Sequence, residues 1–201
     1  MKNSKFILVV LGMVIVGSLA SCVIIVDQTR GNGIIVSRER TVGNFSGVVL
    51  DGVGNVYIHI SEECRVRVTT DSNIQGIIDI KKDGDYLYID EHCRGGFNPT
   101  ELTIDVYMPE VTNIKLHGVG NIQVDDGESS RLDIRLTGVG DIEAHNYKVQ
   151  DSSISISGTG DVKAWVTDDL DGKISGVGNI YYRGSPSIQP SITGIGKIKR
   201  L

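Results

Sequence analysis

The chain has 201 residues, of which 25 are glycine, 4 are proline and 40% are apolar. Glycine weakens helix interiors, so this excess excludes a conventional helical bundle, and the apolar fraction is too high for a disordered chain. The net charge of −5, from 20 basic and 25 acidic residues, argues against nucleic acid and anionic lipid headgroups as partners.

The N-terminal segment has the build of a bacterial export signal. Two lysines precede an apolar run over residues 6–19, and the sequence Leu-Ala-Ser-Cys then ends at Cys22. These four residues are similar to the lipobox, in which a peptidase cuts before a cysteine that becomes lipidated. They predict a signal peptide over residues 1–21 and a lipid anchor at Cys22. An uncleaved signal anchor over residues 6–26 and an ordinary cleaved signal are the alternatives.

Export places the other two cysteines in an oxidising compartment. Cys64 and Cys93 are therefore a candidate disulfide. Two free, partly buried thiols are the alternative, because sequence spacing does not show whether the Cα atoms come within about 7 Å. Residues 22–43 are expected to form a lipid-anchored linker and an N-terminal cap.

The segment between the first two copies of a repeat is less regular but rich in strand patterns. Residues 66–70 and 102–109 each alternate apolar and polar side chains, and residues 77–90 form two such strands around a Lys-Asp-Gly-Asp turn. We expect wide coils with loops here, the largest over residues 91–99.

One short motif dominates the sequence. Gly-x-Gly, followed by a polar residue and then Ile or Val, occurs six times, and the last five copies begin 18–20 residues apart. A glycine pair of this kind marks a corner where the backbone needs positive φ or where a Cβ would clash. The corner glycines are Gly52 and Gly54, Gly118 and Gly120, Gly138 and Gly140, Gly158 and Gly160, Gly176 and Gly178, and Gly194 and Gly196.

The residues on both sides of each corner alternate apolar with polar side chains, which is typical of strands. Units of this kind bury a continuous column of Ile, Leu and Val only when they are stacked in register. The period is too short for a propeller blade, which needs roughly 40 residues. The sequence therefore predicts an all-β fold, a parallel β-helix (β-solenoid) with coils of about 18–20 residues. Basic side chains at Lys197, Lys199 and Arg200 are expected to protect its open edge.

The repeated motif resembles a known family. Tandem Gly-x-Gly-Asn/Asp-Ile copies, preceded by pairs such as Leu136-Thr137 and Ile156-Ser157, are similar to the GIN domain, an adhesin head domain common in lipoproteins of Bacteroidetes. The resemblance extends over residues 44–201. It implies a right-handed parallel β-helix, which agrees with the handedness of parallel crossovers, and an adhesin role. The family has no established catalytic residues, so the resemblance implies none here.

A polar residue follows every corner, and two of these residues are acidic. In-register stacking would place Asp141 and Asp161 about 5 Å apart. That separation suits the carboxylate pair of a retaining glycosidase or a weak cation site. The sequence favours a plainer interpretation, in which Asn and Asp fit the corner and bind local backbone. The whole row is Asn55, Asn121, Asp141, Asp161, Asn179 and Lys197.

No other motif indicates catalysis, and no cofactor or metal is expected. The histidines lack ligand spacing, and His117 fills a corner position taken by Thr or Ser in later copies. Trp165, Tyr147, Tyr181 and Tyr182 are candidate platforms for stacking sugars, with groove filling as the alternative. The repeat position that Tyr182 shares with Ala164 favours the core for this tyrosine.

The leading hypothesis is a non-enzymatic, lipid-anchored adhesin or interaction module of the bacterial cell envelope, which binds a glycan or a protein. The sequence after the predicted anchor lacks an acidic retention signal, which is compatible with the outer membrane, the location that we expect. A polysaccharide-acting β-helix enzyme and a purely structural envelope protein are the alternatives.

Overall fold

The computed structural model describes residues 28–92 and 96–201. The predicted signal peptide, the predicted anchor Cys22 and the cysteine Cys93 lie outside this part of the chain. The described residues form 17 strands and no helix, which confirms the all-β prediction. Consequently, they contain no helix with the length and apolar character needed to cross a membrane.

The strands are distributed along the whole described chain. They are β1 (Thr29–Arg30), β2 (Ile35–Thr41), β3 (Gly47–Leu50), β4 (Asn55–Ile60), β5 (Arg65–Asp71), β6 (Ile78–Asp83), β7 (Tyr86–Glu91), β8 (Phe97–Asn98), β9 (Leu102–Met108), β10 (Asn113–Leu116), β11 (Ile122–Val124), β12 (Gly127–Leu136), β13 (Ile142–Ile156), β14 (Val162–Ile174), β15 (Ile180–Arg183), β16 (Ser187–Ile192) and β17 (Ile198–Arg200).

Fifteen strands form one continuous sheet, and β1 and β8 form a separate parallel pair. Most of the sheet consists of two rows of parallel strands. The first ladder contains the strands that follow each corner: β4, β11, the starts of β13 and β14, β15 and β17. The second ladder contains the strands that precede each corner: β3, β10, β12, the ends of β13 and β14, and β16. Because β13 and β14 belong to both ladders, the sheet is not divided between them.

The parallel pairing follows the sequence repeat. In the first ladder, Ile122 pairs with Val56 on one side and with Ile142 on the other. In the second ladder, Leu116 pairs with Leu50 and Leu136 in the same way. Equivalent apolar residues therefore lie side by side, and they form two buried columns that run through the core.

The segment between the first two copies differs from the predicted wide coils. Strand β5 runs antiparallel between β2 and β9, and β6 with β7 forms the predicted hairpin. Strand β9 pairs with β4, and β7 pairs with β3. Both lie on the side of the first copy that faces away from the second copy. The first two copies are consequently neighbours in space. Of the antiparallel pairs, only β6 and β7 are joined by a short turn, and the edge itself is extended by the parallel pairing of β7 with β3 and of β9 with β4.

The corner requires glycine at both positions, because the backbones of successive copies approach closely there. A Cβ built on Gly138 would overlap the carbonyl oxygen of Gly118 in the neighbouring copy. Gly140 has the same problem against Gly120, and its φ of 136° is also unfavourable for a side chain. Close approach of successive backbones is therefore what the glycine pair provides.

Candidate functional site

The polar row after the corners forms a continuous hydrogen-bond ladder. The backbone N–H of Asp161 donates to Oδ1 of Asp141 at 2.7 Å, so the side chain of one copy satisfies the backbone of the next. This arrangement supports the plainer interpretation, in which these residues stabilise the corner. The ladder runs through Asn55, Asn121, Asp141, Asp161, Asn179 and Lys197.

The two acidic members of the ladder lie on adjacent copies, as the register predicts. One carboxylate oxygen of Asp141 is already engaged by the Asp161 N–H, and one oxygen of Asp161 accepts from the backbone and side chain of Asn179. Within residues 28–92 and 96–201, no group of three or more His, Cys, Asp and Glu side chains is arranged to hold a metal ion.

The four aromatic residues singled out from the sequence separate into two pairs. Tyr147 is only 1% exposed, and its hydroxyl hydrogen-bonds two backbone groups, so it belongs to the core. Tyr182 packs against the core beside Ala164, as its repeat position predicts. Trp165 and Tyr181 instead alternate with buried neighbours and lie half-buried on the outward face of the first ladder.

Each of the two outward rings carries a cation from the neighbouring copy of the repeat. The guanidinium carbon of Arg183 lies 4.2 Å from the Trp165 ring centroid, and Nζ of Lys199 lies 4.8 Å from that of Tyr181. The partners are direct neighbours in the register, Trp165 with Arg183 and Tyr181 with Lys199. We call these four residues the aromatic patch. Cation–π contact of this kind holds a long side chain over the ring.

A third cation borders the aromatic patch. Lys163 pairs with Tyr181 in the register, on the side opposite Lys199. Its Nζ donates to Oε1 of Glu143 at 2.6 Å, and this hydrogen bond raises the pKa of Lys163. Lys163 is therefore charged at neutral pH, but its charge is matched by a carboxylate.

A second cluster lies at the opposite end of the same outward face. His59 contacts Asp125 through Nδ1 at 2.8 Å and Asp105 through Nε2 at 3.1 Å, and its ring stacks on Tyr107. The Arg65 guanidinium lies over the Tyr107 ring at 4.0 Å. Burial acts to lower the pKa of His59, but the hydrogen bonds to Asp105 and Asp125 raise it above its ordinary value.

Sequence reasoning missed the His59 cluster and also missed a carboxylate that caps the corner. In the second copy, the Val119 N–H donates to the carbonyl oxygen of Gly52 in the first copy. In the first copy the Val53 N–H donates instead to Oε2 of Glu91, at 3.0 Å. Burial raises the pKa of Glu91, and the hydrogen bond from Val53 opposes this shift. The Glu91 side chain thus takes the place that a backbone carbonyl has in later copies.

The remaining predicted site residues are cysteines and one histidine. Cys64 is a buried free thiol in the structure, and Cys93 lies outside the described residues, so their pairing stays a prediction. The same holds for the lipid anchor at Cys22. His117 does take a corner role, with its Nδ1 2.7 Å from Oδ1 of Asp51.

A comparison with family models identifies the chain. The model described as "Putative auto-transporter adhesin, head GIN domain" matches residues 44–135 and 125–186. The chain belongs to the GIN domain family. None of the curated proteins matches this GIN domain.

Solved structures similar to this GIN domain come from several bacteria. A putative adhesin from Bacteroides fragilis matches with a TM-score of 0.60 and 23% identity, over 86% of this chain and 99% of that chain. This likeness shows a shared fold. A putative cell adhesion protein from Clostridium sporogenes matches with a TM-score of 0.47 and 17% identity, over 83% and 100% of the two chains. A putative lipid binding protein from Parabacteroides distasonis gives 0.46 and 17%, over 87% and 99%.

Proposed function

We propose that this GIN domain is a non-enzymatic adhesin of the bacterial cell envelope. A lipid on Cys22 would hold it in the outer membrane, and the outward face of the first ladder would bind a glycan or a protein. Family membership supports adhesion, and the export signal supports the envelope location. The observation that carries the proposal is the aromatic patch, where two outward rings each hold a cation on a regular sheet face.

The proposed scaffold is a right-handed parallel β-helix. The in-register parallel pairing of all six copies supports this scaffold, since the corner of each copy lies directly beside the corner of the next. Parallel crossovers are right-handed in about 98% of cases. A scaffold of this kind suits adhesion, because a surface that is already ordered loses little conformational entropy on binding.

The arrangement of the acidic pair favours adhesion over glycan cleavage. A glycosidase needs a protonated carboxyl group beside the scissile bond and a second carboxylate that is free to act. Asp141 and Asp161 instead hydrogen-bond the backbone of the next copy. We therefore assign them to the corner rather than to a reaction.

One experiment separates adhesion from catalysis. Full-length protein in detergent is incubated with a panel of soluble host and bacterial polysaccharides, and both retention and product release are measured. We expect retention without new reducing ends. Release of products that stops when Asp141→Asn and Asp161→Asn are combined would contradict the proposal and favour the enzyme.

A second experiment tests the anchor. Cells expressing the wild type, Cys22→Ala or the control Cys64→Ala are labelled with a radioactive fatty acid and fractionated. We expect the label and the outer-membrane retention to be lost only in Cys22→Ala. Unchanged retention of an unlabelled Cys22→Ala protein would contradict lipid anchoring. Surface proteolysis of intact cells then shows whether the domain faces outward.

A further inference from the structure

We infer that the aromatic patch binds an anionic polysaccharide, one that carries carboxylate or sulfate groups. This inference rests on the proposed function and names the ligand class of the same surface. It depends on the charge of the patch, its geometry and its place on the sheet.

The two cations of the patch are held in position but are not neutralised. Arg183 and Lys199 are both exposed, and neither forms an ion pair within the described part of the chain. An aromatic ring attracts a cation through its quadrupole and leaves the full positive charge available to an anion. By contrast, the charge of the neighbouring Lys163 is matched by Glu143.

The charge of this region is opposite to that of the whole chain. Lys197 lies two residues before Lys199 and is also exposed, so three basic residues, Arg183, Lys197 and Lys199, gather at this end of the first ladder. Arg200 shares the register position of the core-packed Tyr182 and faces the other side of the strand. The chain as a whole carries −5. A polyanion would therefore be repelled by most of the surface and attracted here, which favours one defined site over scattered attachment.

The spacing of the cations suits a polymer rather than a small anion. Lys199 is the register neighbour of Tyr181, and Arg183 lies two residues further along the same strand as Tyr181. With about 4.8 Å between strands and about 3.3 Å per residue, the Cα atoms of the two cations are about 8 Å apart. Both charges can then be engaged by successive anionic groups of one chain.

The place of the patch on the sheet favours a glycan over an acidic peptide. Extended peptides gain affinity by adding a strand to a sheet edge, where backbone groups are free. Trp165, Tyr181 and Arg183 lie on the face of β14 and β15, whose backbones pair with strands on both sides, and only Lys199 lies on the edge strand β17. Arg183 and Lys199 lie over these rings, so what the patch presents on the sheet face is two ordered charges, which suit the anionic substituents of a sugar chain laid across the strands.

The test compares two variants with the same net charge. Arg183→Gln with Lys199→Gln removes two cations from the patch. The control, Arg135→Gln with Lys173→Gln, removes two exposed cations from the outward face of the second ladder. Full-length proteins in detergent are titrated with polygalacturonate, dextran sulfate, neutral dextran and polyglutamate, and the unfolding curve of each variant verifies that it folds.

We expect the wild type to bind polygalacturonate or dextran sulfate, with affinity that falls as salt rises, and to ignore dextran. The patch variant should bind at least about tenfold more weakly, and the control should bind as the wild type does. Should the double variant fold poorly, Lys199→Gln alone is tested, and we expect it to bind the anionic polysaccharide more weakly than the wild type, with a smaller loss of affinity than the double variant.

Three outcomes would overturn the inference: equal weakening in the patch variant and the control, equal binding of dextran, or preferential binding of polyglutamate. Binding of dextran that is lost in Trp165→Ala would leave adhesion through this face standing without the charge requirement. Cells that adhere equally well with and without the protein would instead contradict the proposed function itself.

Discussion

Asn121 donates both its backbone N–H and its side-chain amide to Oδ1 of Asn55, which lies 66 residues earlier in the chain. The hydrogen-bond ladder therefore continues between the first two copies as it does between later copies, which are 18 or 20 residues apart in sequence. The 66-residue segment does not intervene between them, because its strands extend the sheet on the far side of the first copy.

This adjacency predicts a specific cross-link. Val53 and Val119 form a parallel bridge at the corner, so cysteines introduced at both positions would have Cα atoms about 4.8 Å apart, within the range of a disulfide. After oxidation, mass spectrometry of peptides should show the Val53→Cys and Val119→Cys pair linked. The control combines Val53→Cys with Val139→Cys, one strand further away at about 10 Å, and should not link. Equal linkage of both pairs would contradict the register.

The corner glycines predict a position-dependent loss of stability. Gly138→Ala places a Cβ against the carbonyl oxygen of Gly118, so the two neighbouring strands must separate. We expect a loss of about 3 kcal/mol or more in the free energy of unfolding, or no folded protein. Gly76→Ala is the matched control, because nothing lies within 4 Å of its added Cβ. Urea unfolding measures both, and a small effect at Gly138 would mean that the strands are not packed this closely.

The register of the repeat could be predicted from the sequence, whereas the start of the stack could not. Leu116 and Leu136 keep their spacing from the corner glycines, so stacking one copy on the next aligns them without further information. No period links β5 or β9 to a partner strand, so neither the parallel pairing of β9 with β4 nor the antiparallel pairing of β5 with β9 could be predicted, and the segment was expected to form wide coils with loops. The cap by Glu91 has no sequence signature either, since a carboxylate there replaces a backbone oxygen.

The two rings of the aromatic patch were named from the sequence, whereas its two cations were not. The sequence marked Trp165 and Tyr181 as candidate platforms, but it marked Tyr147 and Tyr182 as well, and these two pack in or against the core. The cations of the patch follow from the register, since each lies one copy beyond its ring. The His59 cluster is different, because its partners lie on or beside separate strands and meet only after the fold-back segment has formed.

Glu91 predicts a change of stability with pH. Its pKa is raised in the folded protein by burial, so the folded state retains this proton better than the unfolded state does. The raised pKa of Glu91 adds to the free energy of unfolding at low pH, where Glu91 is protonated. This contribution is lost as the pH rises above 4.5, the ordinary pKa of a glutamate, and through the pKa of Glu91 in the folded protein. Glu91→Gln keeps an oxygen that can accept from Val53 but cannot titrate. We expect its unfolding free energy to lack this decline, as measured by urea unfolding between pH 4 and 8. An unchanged pH profile would show that Glu91 is not the group responsible.

His59 predicts a second, separate decline at higher pH. Its pKa is raised above 6.5 because the protonated ring binds Asp105 and Asp125. The resulting stability is complete below the unfolded pKa and is lost as pH rises through the folded pKa. His59→Gln should flatten the profile in this range, and an NMR titration of the ring should give a midpoint above 6.5. A midpoint below 6.5 would contradict the charged bridge.

Adhesion of whole cells tests the proposed function most directly. Cells that express the wild type, Trp165→Ala with Tyr181→Ala, or the control Tyr88→Ala on β7, which pairs with β3, are applied to surfaces coated with host or bacterial polysaccharides. Equal amounts of protein in the outer membrane are verified first. We predict that adhesion falls to the level of cells without the protein only when both patch rings are removed. Full adhesion by the Trp165→Ala and Tyr181→Ala cells would contradict binding through the first ladder.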